Sequence, residues 1–389
     1  MSIAPTAELA TAAVFARWIA PRPSLVVMQP DTFCNIDCAA YCYLPLRKRR
    51  NRMPVAVARA VATSLADLGP DELGRRQVVE VCWHGGEPLA VGVEAMAELL
   101  APFEQLRTAG LIHHSVQTNA TLITDGWCDL FQGYGFSVGV SIDGPADLNA
   151  RRTDRAGRPA HDRIMGGIGR LRQRGIEFSV IAVVGTDGIS RAEDLLDFLA
   201  GLGATQIGFN IEEFEGSNTS GQPKPAEARG FWTAAIAWST THPGVKIRDL
   251  DRLGGYLSTI RAGERAAWEA HRFDPLPTIA FNGDVILLSP ELAGIRDEHY
   301  GDFVAGNVLE QDLGSIVARA WQLPYVTEFI DGLAACRATC GFFDFCRGAT
   351  AGNRYFENGT FASTETNYCR VSRQELVNAL IDTTRKEEP

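Results

Sequence analysis

The sequence lacks the features that carry a protein into or across a membrane. No apolar run in its 389 residues approaches the roughly 18 residues needed to span a bilayer. The first 23 residues lack the basic start and small-residue cleavage site of a secretory signal. Positive charge is also scarce: 37 Lys and Arg stand against 47 Asp and Glu, for a net charge of −10, and a phosphate backbone repels such a surface. We therefore expect a cytoplasmic protein that binds neither membranes nor nucleic acid.

Length and composition predict a globular chain. The residues are 46% hydrophobic and 22% charged, a balance that supports a buried core and differs from that of disordered chains. Domains of about 100–200 residues would divide this length into two or three.

Nine cysteines are the most informative part of the composition. An odd number in a chain without an export signal argues against a framework of disulfides. Clustered thiols in a cytosolic protein instead indicate metal or iron–sulfur ligands. The two clusters are Cys34, Cys38 and Cys42, and then Cys336, Cys340, Cys346 and Cys369. Cys82 and Cys128 stand alone and are predicted to be core residues.

Six short apolar runs alternate with amphipathic stretches through the first half of the chain. The runs are Leu25–Pro30, Val78–Trp83, Ile112–Thr118, Ser137–Ile142, Phe178–Val184 and Gln206–Ile211. Helices are predicted at 54–68, 96–106, 164–171 and 195–199. Alternating strands and helices form parallel βαβ units, and nearly continuous apolar strands are buried on both faces. We therefore predict an α/β fold with a partial, TIM-like (β/α)6 barrel.

The pattern changes after the sixth run and divides the chain into four parts. We predict an N-terminal extension at 1–24, the barrel at 25–213, a linker with bridging helices at 214–275, and a smaller domain at 276–389. The linker opens with a stretch rich in Gly, Ser and Pro at 214–230. The small domain opens with a hairpin that turns at Asn282 and Gly283, a pair favoured in tight turns.

Polar and Gly-rich clusters follow the predicted strands at their C-terminal ends. They are Gly85, Gly86 and Glu87 after the second strand, Gln117 and Asn119 at the third, Ser141 and Asp143 at the fourth, and Glu212 and Glu213 after the sixth. Barrel enzymes place their active sites at this edge of the sheet. Glu212 and Glu213, with the nearby Glu215, are interpreted as a catalytic base or peptide contact, or else as a solvated acidic loop.

The first thiol cluster favours an iron–sulfur site with one open iron. Cys34, Cys38 and Cys42 lie within nine residues of a loop, and three thiolates hold three irons of a [4Fe–4S] cube. The fourth iron is then free to bind the amino and carboxylate groups of S-adenosylmethionine (SAM). Spacing alone also permits a zinc site.

The loop resembles the signature of the radical SAM superfamily, C-x3-C-x2-C with an aromatic residue before the last Cys. Tyr41 takes the aromatic place, although the second gap is one residue longer here. The run His84–Pro88 resembles the GGEP motif of the same superfamily. The SAM-binding residues that this resemblance implies are Tyr41, Gly85, Gly86, Glu87, Gln117, Asn119, Ser141, Asp143 and Arg152.

Two basic stretches have alternative interpretations. By resemblance, Arg152 pairs with the SAM carboxylate, but it stands beside Arg151 and near Arg155 and is equally an exposed arginine. The run Arg47–Arg50 is interpreted as a solvated face, or else as a contact for an acidic peptide.

The second thiol cluster has the spacing C-x3-C-x5-C-x22-C. Four thiolates describe a closed site for a cluster, or for zinc. The arrangement resembles the SPASM domain of radical SAM peptide-modifying enzymes, which carries seven Cys and two auxiliary clusters. Leu288 and Thr350 stand where that domain has two further Cys, both ligands of its first auxiliary cluster. The resemblance therefore implies a single auxiliary [4Fe–4S] cluster, held by Cys336, Cys340, Cys346 and Cys369.

Shorter runs resemble the cyclophane-forming peptide maturases, which act on Gly-rich-repeat precursor peptides. These runs are NIEEFEG, SPE, GDFVAGNV and the segment 352–370. The resemblance implies reductive cleavage of SAM, a carbon–carbon bond between an aromatic ring and a Cβ in a ribosomally made precursor peptide, and a flavodoxin- or ferredoxin-type electron donor. The alternatives are thioether formation or oxidation of Ser or Cys by a radical SAM enzyme, and a zinc-binding structural or interaction protein.

Overall fold

Strands and helices alternate through the first half of the structure, a computed structural model that describes residues 7–38, 42–69, 76–216, 218 and 221–386. The strands are β1 Leu25–Met28, β2 Ile36–Cys38, β3 Val79–Trp83, β4 Ile112–Thr118, β5 Ser137–Ser141, β6 Arg152–Asp154, β7 Phe178–Val184, β8 Gln206–Ile211, β9 Lys246–Ile247, β10 Thr278–Ile279, β11 Asp284–Ile286 and β12 Val304–Asn307. The helices are α1 Ala7–Trp18, α2 Val55–Asp67, α3 Val93–Leu100, α4 Glu104–Thr108, α5 Asp125–Tyr134, α6 His161–Gln173, α7 Ala192–Gly201, α8 Pro225–Thr241, α9 Arg248–Arg261, α10 Arg265–Glu269, α11 Leu313–Ala318, α12 Pro324–Thr339, α13 Phe343–Cys346, α14 Ala351–Asn358, α15 Asn367–Cys369 and α16 Glu375–Lys386.

A ten-stranded sheet forms the centre of the molecule, in the order β12-β11-β10-β1-β3-β4-β5-β7-β8-β9. Within this sheet, six consecutive strands run parallel to one another: β1, β3, β4, β5, β7 and β8. These are the six predicted strands, with ends within two residues of those expected, and they confirm the α/β barrel architecture. Val26, Met28, Val81 and Trp83 are fully buried, because helices cover the sheet, and this explains the continuous apolar runs.

One predicted helix is divided in the structure. The apolar stripe at 96–106 spans α3, a 3₁₀ turn at Ala101–Phe103, and α4. Pro102 lies within that turn, where its missing N–H prevents the next α-helical hydrogen bond. The stripe still faces inward, since Met96, Leu99 and Phe103 are buried.

The predicted hairpin extends the barrel sheet. β10 and β11 pair antiparallel around Asn282 and Gly283, as expected. β10 also pairs in parallel with β1, and β12 continues the sheet beyond β11. The chain from residue 276 onward is therefore joined to the barrel through main-chain hydrogen bonds.

The irregular stretch predicted at 214–230 is partly helical, because α8 begins at Pro225, a residue favoured in the first helical turn. Cys128 is fully buried, as predicted for a core residue, whereas Cys82 is half-buried. None of the described helices is both long and apolar enough to span a membrane.

Candidate active site

The carboxyl ends of the parallel strands face a cavity of about 470 Å³ between the barrel and the C-terminal segment. The predicted site residues that line it are Cys34, Cys38, Cys42, Gly86, Glu87, Gln117, Asn119, Ser141, Arg152, Glu212 and Glu213. Gly85 and Asp143 lie behind this lining and support it, as described below. Tyr41 falls outside the described residues. The cavity thus brings together side chains from the ends of five strands and from the first thiol loop.

The first thiol loop is held by a small second sheet that the sequence did not predict. β2 pairs antiparallel with β6, which places Cys38 opposite Arg152. The main-chain N–H of Cys34 donates to the carbonyl of Arg47 at 2.9 Å. Arg155 donates to the carbonyl oxygens of both residues, at 3.0 and 2.7 Å. The thiols are therefore presented from a braced loop.

The basic run at 47–50 supports this loop and is not simply a solvated face. Arg47 Nε lies 3.0 Å from Asp37 Oδ1, within the loop, and Arg50 lies over the ring of Phe33 at 4.5 Å. Lys48 and Arg49 match the solvated interpretation more closely, since both are exposed, although Lys48 Nζ also lies 3.4 Å from Asp37 Oδ2. The local sequence could not show this, because Asp37 and Phe33 become neighbours of the run only when the loop folds back.

The turn at His84–Pro88, which we call the HGGEP turn, packs directly on the first thiol loop. Gly85 and Gly86 have positive φ angles of 90° and 55°, which glycine adopts at little cost. A Cβ at Gly86 would lie 2.4 Å from the carbonyl oxygen of Phe33. The N–H of Glu87 donates to that same oxygen at 2.8 Å. The glycines thus permit the close approach of two loops.

Glu87 joins the turn to the end of β4. Its carboxylate accepts hydrogen bonds from Thr118 Oγ1 at 2.6 Å, from the Asn119 N–H at 2.8 Å and from the Leu89 N–H at 3.0 Å. Burial raises the pKa of Glu87 to about 7. The side chain therefore positions β4 and the turn.

The ends of β4 and β5 are linked across the cavity wall. Gln117 Nε2 donates to Ser141 Oγ at 2.9 Å. Asn119 Nδ2 donates to Asn35 Oδ1 at 3.0 Å and lies 3.8 Å from Cys34 Sγ. Asn119 therefore contacts the thiol loop, and both amides line the cavity.

Arg152 is buried, so the alternative of an exposed arginine is wrong. Its guanidinium forms a two-bond pair with Asp143, both bonds at 2.8 Å, and its Nη1 lies 4.0 Å from Cys38 Sγ. Asp143 also accepts from the Val183 N–H at 3.0 Å. A fixed cation beside the thiols suits an anionic group, such as a carboxylate, at this end of the cavity.

The glutamates after β8 do not form a solvated loop. One of them forms an ion pair with an arginine, and the others form none among the described residues. Glu212 is buried and forms a two-bond pair with Arg151, at 2.9 and 2.7 Å. Glu213 accepts from Asn353 Nδ2 at 2.6 Å. Burial, with a smaller contribution from the charge of Glu291, raises the pKa of Glu213 to about 7.

Glu215 and Glu291 face the same part of the cavity as Glu213. Burial, together with the charges of the neighbouring carboxylates, raises the pKa of Glu215 well above its usual range. We define Glu213, Glu215 and Glu291 as the carboxyl trio. Glu291 belongs to the SPE run, whose place in the site is not predictable from the sequence, because this segment reaches the cavity only through the hairpin at β10 and β11.

The four C-terminal thiols line a second, smaller cavity. Arg354 is buried there and donates from Nη2 to Cys336 Sγ at 3.3 Å and to the Gly348 carbonyl at 2.9 Å. Burial raises the pKa of Cys369 to about 11. Among the described side chains, no three His, Cys, Asp or Glu are grouped so as to hold a single metal ion. The thiols surround a cavity beside a buried cation.

Comparison with known proteins identifies the family. Residues 28–199 match the model of the Radical SAM superfamily. The chain is 33% identical over 318 residues to a serine-type anaerobic sulfatase-maturating enzyme of Klebsiella aerogenes, a match that covers 78% of this chain and 74% of that protein. The chain belongs to the radical SAM superfamily. It is therefore an enzyme that uses SAM and a [4Fe–4S] cluster, and the alternative of a zinc-binding structural protein is wrong.

Solved structures show the same fold over nearly the whole chain. The structure of anSMEcpe with bound AdoMet has a TM-score of 0.72 at 20% identity and covers 93% of this chain and 98% of that one. SuiB of Streptococcus suis bound to the precursor peptide SuiA has a TM-score of 0.64 at 19% identity and covers 93% and 78%. The radical SAM fold of this chain thus includes the segment that carries the second thiol cluster.

The first thiol loop fits the cluster of a radical SAM enzyme. Its three thiols face one cavity, and burial followed by the charges of Glu87, Cys38 and Cys42 raises the pKa of Cys34. The three thiols line this cavity together with Gln117, Asn119 and Arg152. A bound cationic cluster would compensate the charge of the thiolates, and three protein ligands would leave one iron open for SAM.

Proposed function

We propose that this radical SAM enzyme forms a cyclophane, a bond between an aromatic ring carbon and a Cβ within a ribosomally made precursor peptide. The observation that carries the proposal is the composition of the central cavity. Ile181 and Val183 on β7 and Ile211 on the neighbouring strand β8 form an apolar wall of the cavity that the thiol loop and the carboxyl trio also line. An apolar wall suits an aromatic side chain, and a carboxylate beside it suits removal of a ring proton.

Two further lining residues support a substrate in this space. Leu288 and Thr350 both line the cavity, and they stand where the resembling SPASM domains carry ligands of a first auxiliary cluster. Without those ligands the volume is left for a peptide side chain. A peptide substrate also agrees with the relatives, since one is named as a sulfatase-maturating enzyme and SuiB binds a precursor peptide.

The proposed reaction balances as the loss of two hydrogen atoms from the peptide. When bound and reduced by a flavodoxin- or ferredoxin-type donor, the cluster and SAM would supply a 5′-deoxyadenosyl radical able to take one hydrogen atom from the Cβ. Bond formation between that carbon and the ring leaves one electron and one proton in excess. Loss of both restores the aromatic ring.

The carboxyl trio is the proposed proton acceptor. Glu212 is neutralised by Arg151, whereas Glu213 has no cation in hydrogen-bonding contact with it among the described residues and a pKa near 7. A base with a pKa near the working pH combines availability with proton affinity. Of the two glutamates predicted from the sequence, Glu213 is therefore our candidate base, and Glu212 positions Arg151.

The second thiol cluster is the proposed electron acceptor. We propose that Cys336, Cys340, Cys346 and Cys369 hold an auxiliary [4Fe–4S] cluster, to which the buried Arg354 supplies a compensating charge. Tyr368 lines the central cavity, and the next residue, Cys369, lines the thiol cavity. Consecutive residues thus connect the proposed substrate space with the proposed cluster.

The function is tested by identifying the product rather than by its mass alone. Incubation with SAM, a reductant and a Gly-rich precursor peptide that carries aromatic residues is expected to remove two hydrogen atoms. Oxidation of Ser to an aldehyde gives the same mass change, whereas oxidation of Cys to that aldehyde also exchanges sulfur for oxygen and gives a larger loss of mass. A crosslinked peptide does not react with a hydrazide reagent, and it loses fragment ions between the joined residues in tandem mass spectra. A hydrazide-reactive product would overturn the proposal in favour of the oxidation alternative.

Glu213→Gln is expected to lower the rate of crosslinking by about 100-fold, because a positioned base contributes that much or more. The base acts when ionised, so the wild-type rate rises with pH through the pKa of about 7 and levels off above it. The variant should lose this rise while still cleaving SAM. The matched control is Glu193→Gln on the exposed face of α7, which should keep the wild-type rate and profile. An unchanged pH profile in Glu213→Gln would assign the proton to another group.

A further inference from the structure

A mostly buried arginine, whose side chain is 11% exposed, lies in the wall between the central cavity and the second thiol cavity. Arg373 lies in a π-helical turn, Arg370–Gln374, a rare conformation that often occurs at functional sites. Its side chain lines the central cavity, whereas Gln374 and Cys369 line the thiol cavity. The turn thus presents one cation to the proposed substrate space.

Most of the hydrogen-bonding capacity of Arg373 is unused. Its Nη2 donates to Tyr368 Oη at 2.8 Å. Its Nε and Nη1 are buried and have no hydrogen-bond partner in the described part of the chain. Asp249 is 3.7 Å away, too far for a hydrogen bond, and its other oxygen accepts from the Phe209 N–H. A buried donor without a partner destabilises the fold, so these nitrogens are placed for an acceptor that comes from outside the chain.

The charge beside the guanidinium selects the kind of acceptor. Asp249 Oδ1 lies 3.7 Å from Nη1 and already compensates the guanidinium charge, so the two nitrogens lack hydrogen-bond acceptors and not a counter-charge. A neutral acceptor such as an amide carbonyl supplies what they lack, and a peptide offers one at every residue.

We propose that Arg373 is a substrate-binding residue that donates hydrogen bonds to backbone carbonyl oxygens of the peptide. The inference rests on the proposed function in that it takes a peptide as the occupant of the cavity. Binding through the backbone fixes the chain near the C-terminal wall, independently of its side chains. An aromatic side chain is then directed to the apolar wall, and the Cβ toward the SAM end of the cavity.

The test measures peptide affinity under anaerobic conditions with SAM present. The probe is a fluorescein-labelled synthetic peptide of Gly-rich repeats with one aromatic residue each, and fluorescence anisotropy gives its Kd. Arg373→Met keeps the length of the side chain but removes the donors, and we expect its Kd to rise tenfold or more. Arg373→Lys keeps the charge and should recover only part of the affinity. The matched control Arg370→Met removes an exposed arginine from the same turn, which pairs with Glu365 at the surface, and should leave the Kd unchanged.

A second arm uses the wild-type enzyme, so that it does not depend on the folding of a variant. In a second peptide, alkene isosteres replace the amide bonds next to the aromatic residue and remove the carbonyl acceptors. We expect wild-type affinity to fall as far as in Arg373→Met, and the combination of that variant with the modified peptide to lower affinity no further.

Equal affinity of wild type and Arg373→Met for the unmodified peptide overturns the role of Arg373 and leaves the proposed function standing if the peptide is still crosslinked. A changed potential of the C-terminal cluster with unchanged affinity would assign the donors to that cluster. If wild type neither binds nor alters the peptide, both proposals fail.

Discussion

Replacing Cys34, Cys38 and Cys42 together with Ala is expected to remove about half of the iron and all SAM cleavage. Two [4Fe–4S] clusters correspond to about eight irons in the reconstituted wild-type chain, and the variant keeps about four at the C-terminal thiols. SAM cleavage is lost because the open iron that binds SAM belongs to the first loop.

Iron and sulfide analysis with chromatography of 5′-deoxyadenosine checks this result. The matched control is Cys128→Ala, since Cys128 is buried on α5 and lines neither thiol cavity; it should keep all iron and full SAM cleavage. About twelve irons in the wild type would contradict our interpretation of Leu288 and Thr350. About four irons with one zinc would assign the C-terminal thiols to zinc and remove the proposed electron acceptor.

Cys340→Ala is expected to separate SAM cleavage from crosslinking. Cys340 follows α12 and lines only the C-terminal thiol cavity, while the proposed SAM contacts lie on the barrel. The variant should still produce 5′-deoxyadenosine. Crosslinked peptide should fall roughly 100-fold, equal to about 2.7 kcal/mol in barrier, because the ring radical then lacks its electron acceptor.

The variant must first be shown to be folded, because four thiols organise this segment and the loss of a cluster can unfold it. Circular dichroism and iron content of about four per chain establish that condition. A folded variant that crosslinks at the wild-type rate would make the C-terminal site structural. Loss of SAM cleavage in the folded variant would show that the two sites are coupled, contrary to their positions in separate cavities.

The six parallel strands and their order of appearance were predictable from consecutive residues. Strands buried on both faces require unbroken apolar runs, and residues such as Val81 and Val140 are fully buried. The loops after these strands could also be predicted as the site, because all carboxyl ends of a parallel sheet meet at one edge. The helix predicted at 96–106 is the exception, because Pro102 lies in the 3₁₀ turn that divides it into α3 and α4.

The supports of the site were not predictable in this way. Arg47 was interpreted as solvated because its partner Asp37 lies on a loop that folds back. Arg152 had two interpretations until β6 paired with β2. Glu212 and Glu213 looked alike in the sequence, but Arg151 neutralises the first and leaves the second as the candidate base.

Local sequence patterns therefore determined the barrel, the edge of its sheet that carries the site, and the two sets of thiols. Strand burial, turn chemistry and ligand spacing each depend on residues that are close together in the sequence. The wall opposite the first thiol loop depended on long-range packing. Glu291 reaches the cavity because β10 pairs with β1, and Arg373 reaches it from the π-helical turn before α16. No short window of sequence contains both sides of that cavity, since its walls come from segments that meet only when the C-terminal chain packs on the barrel.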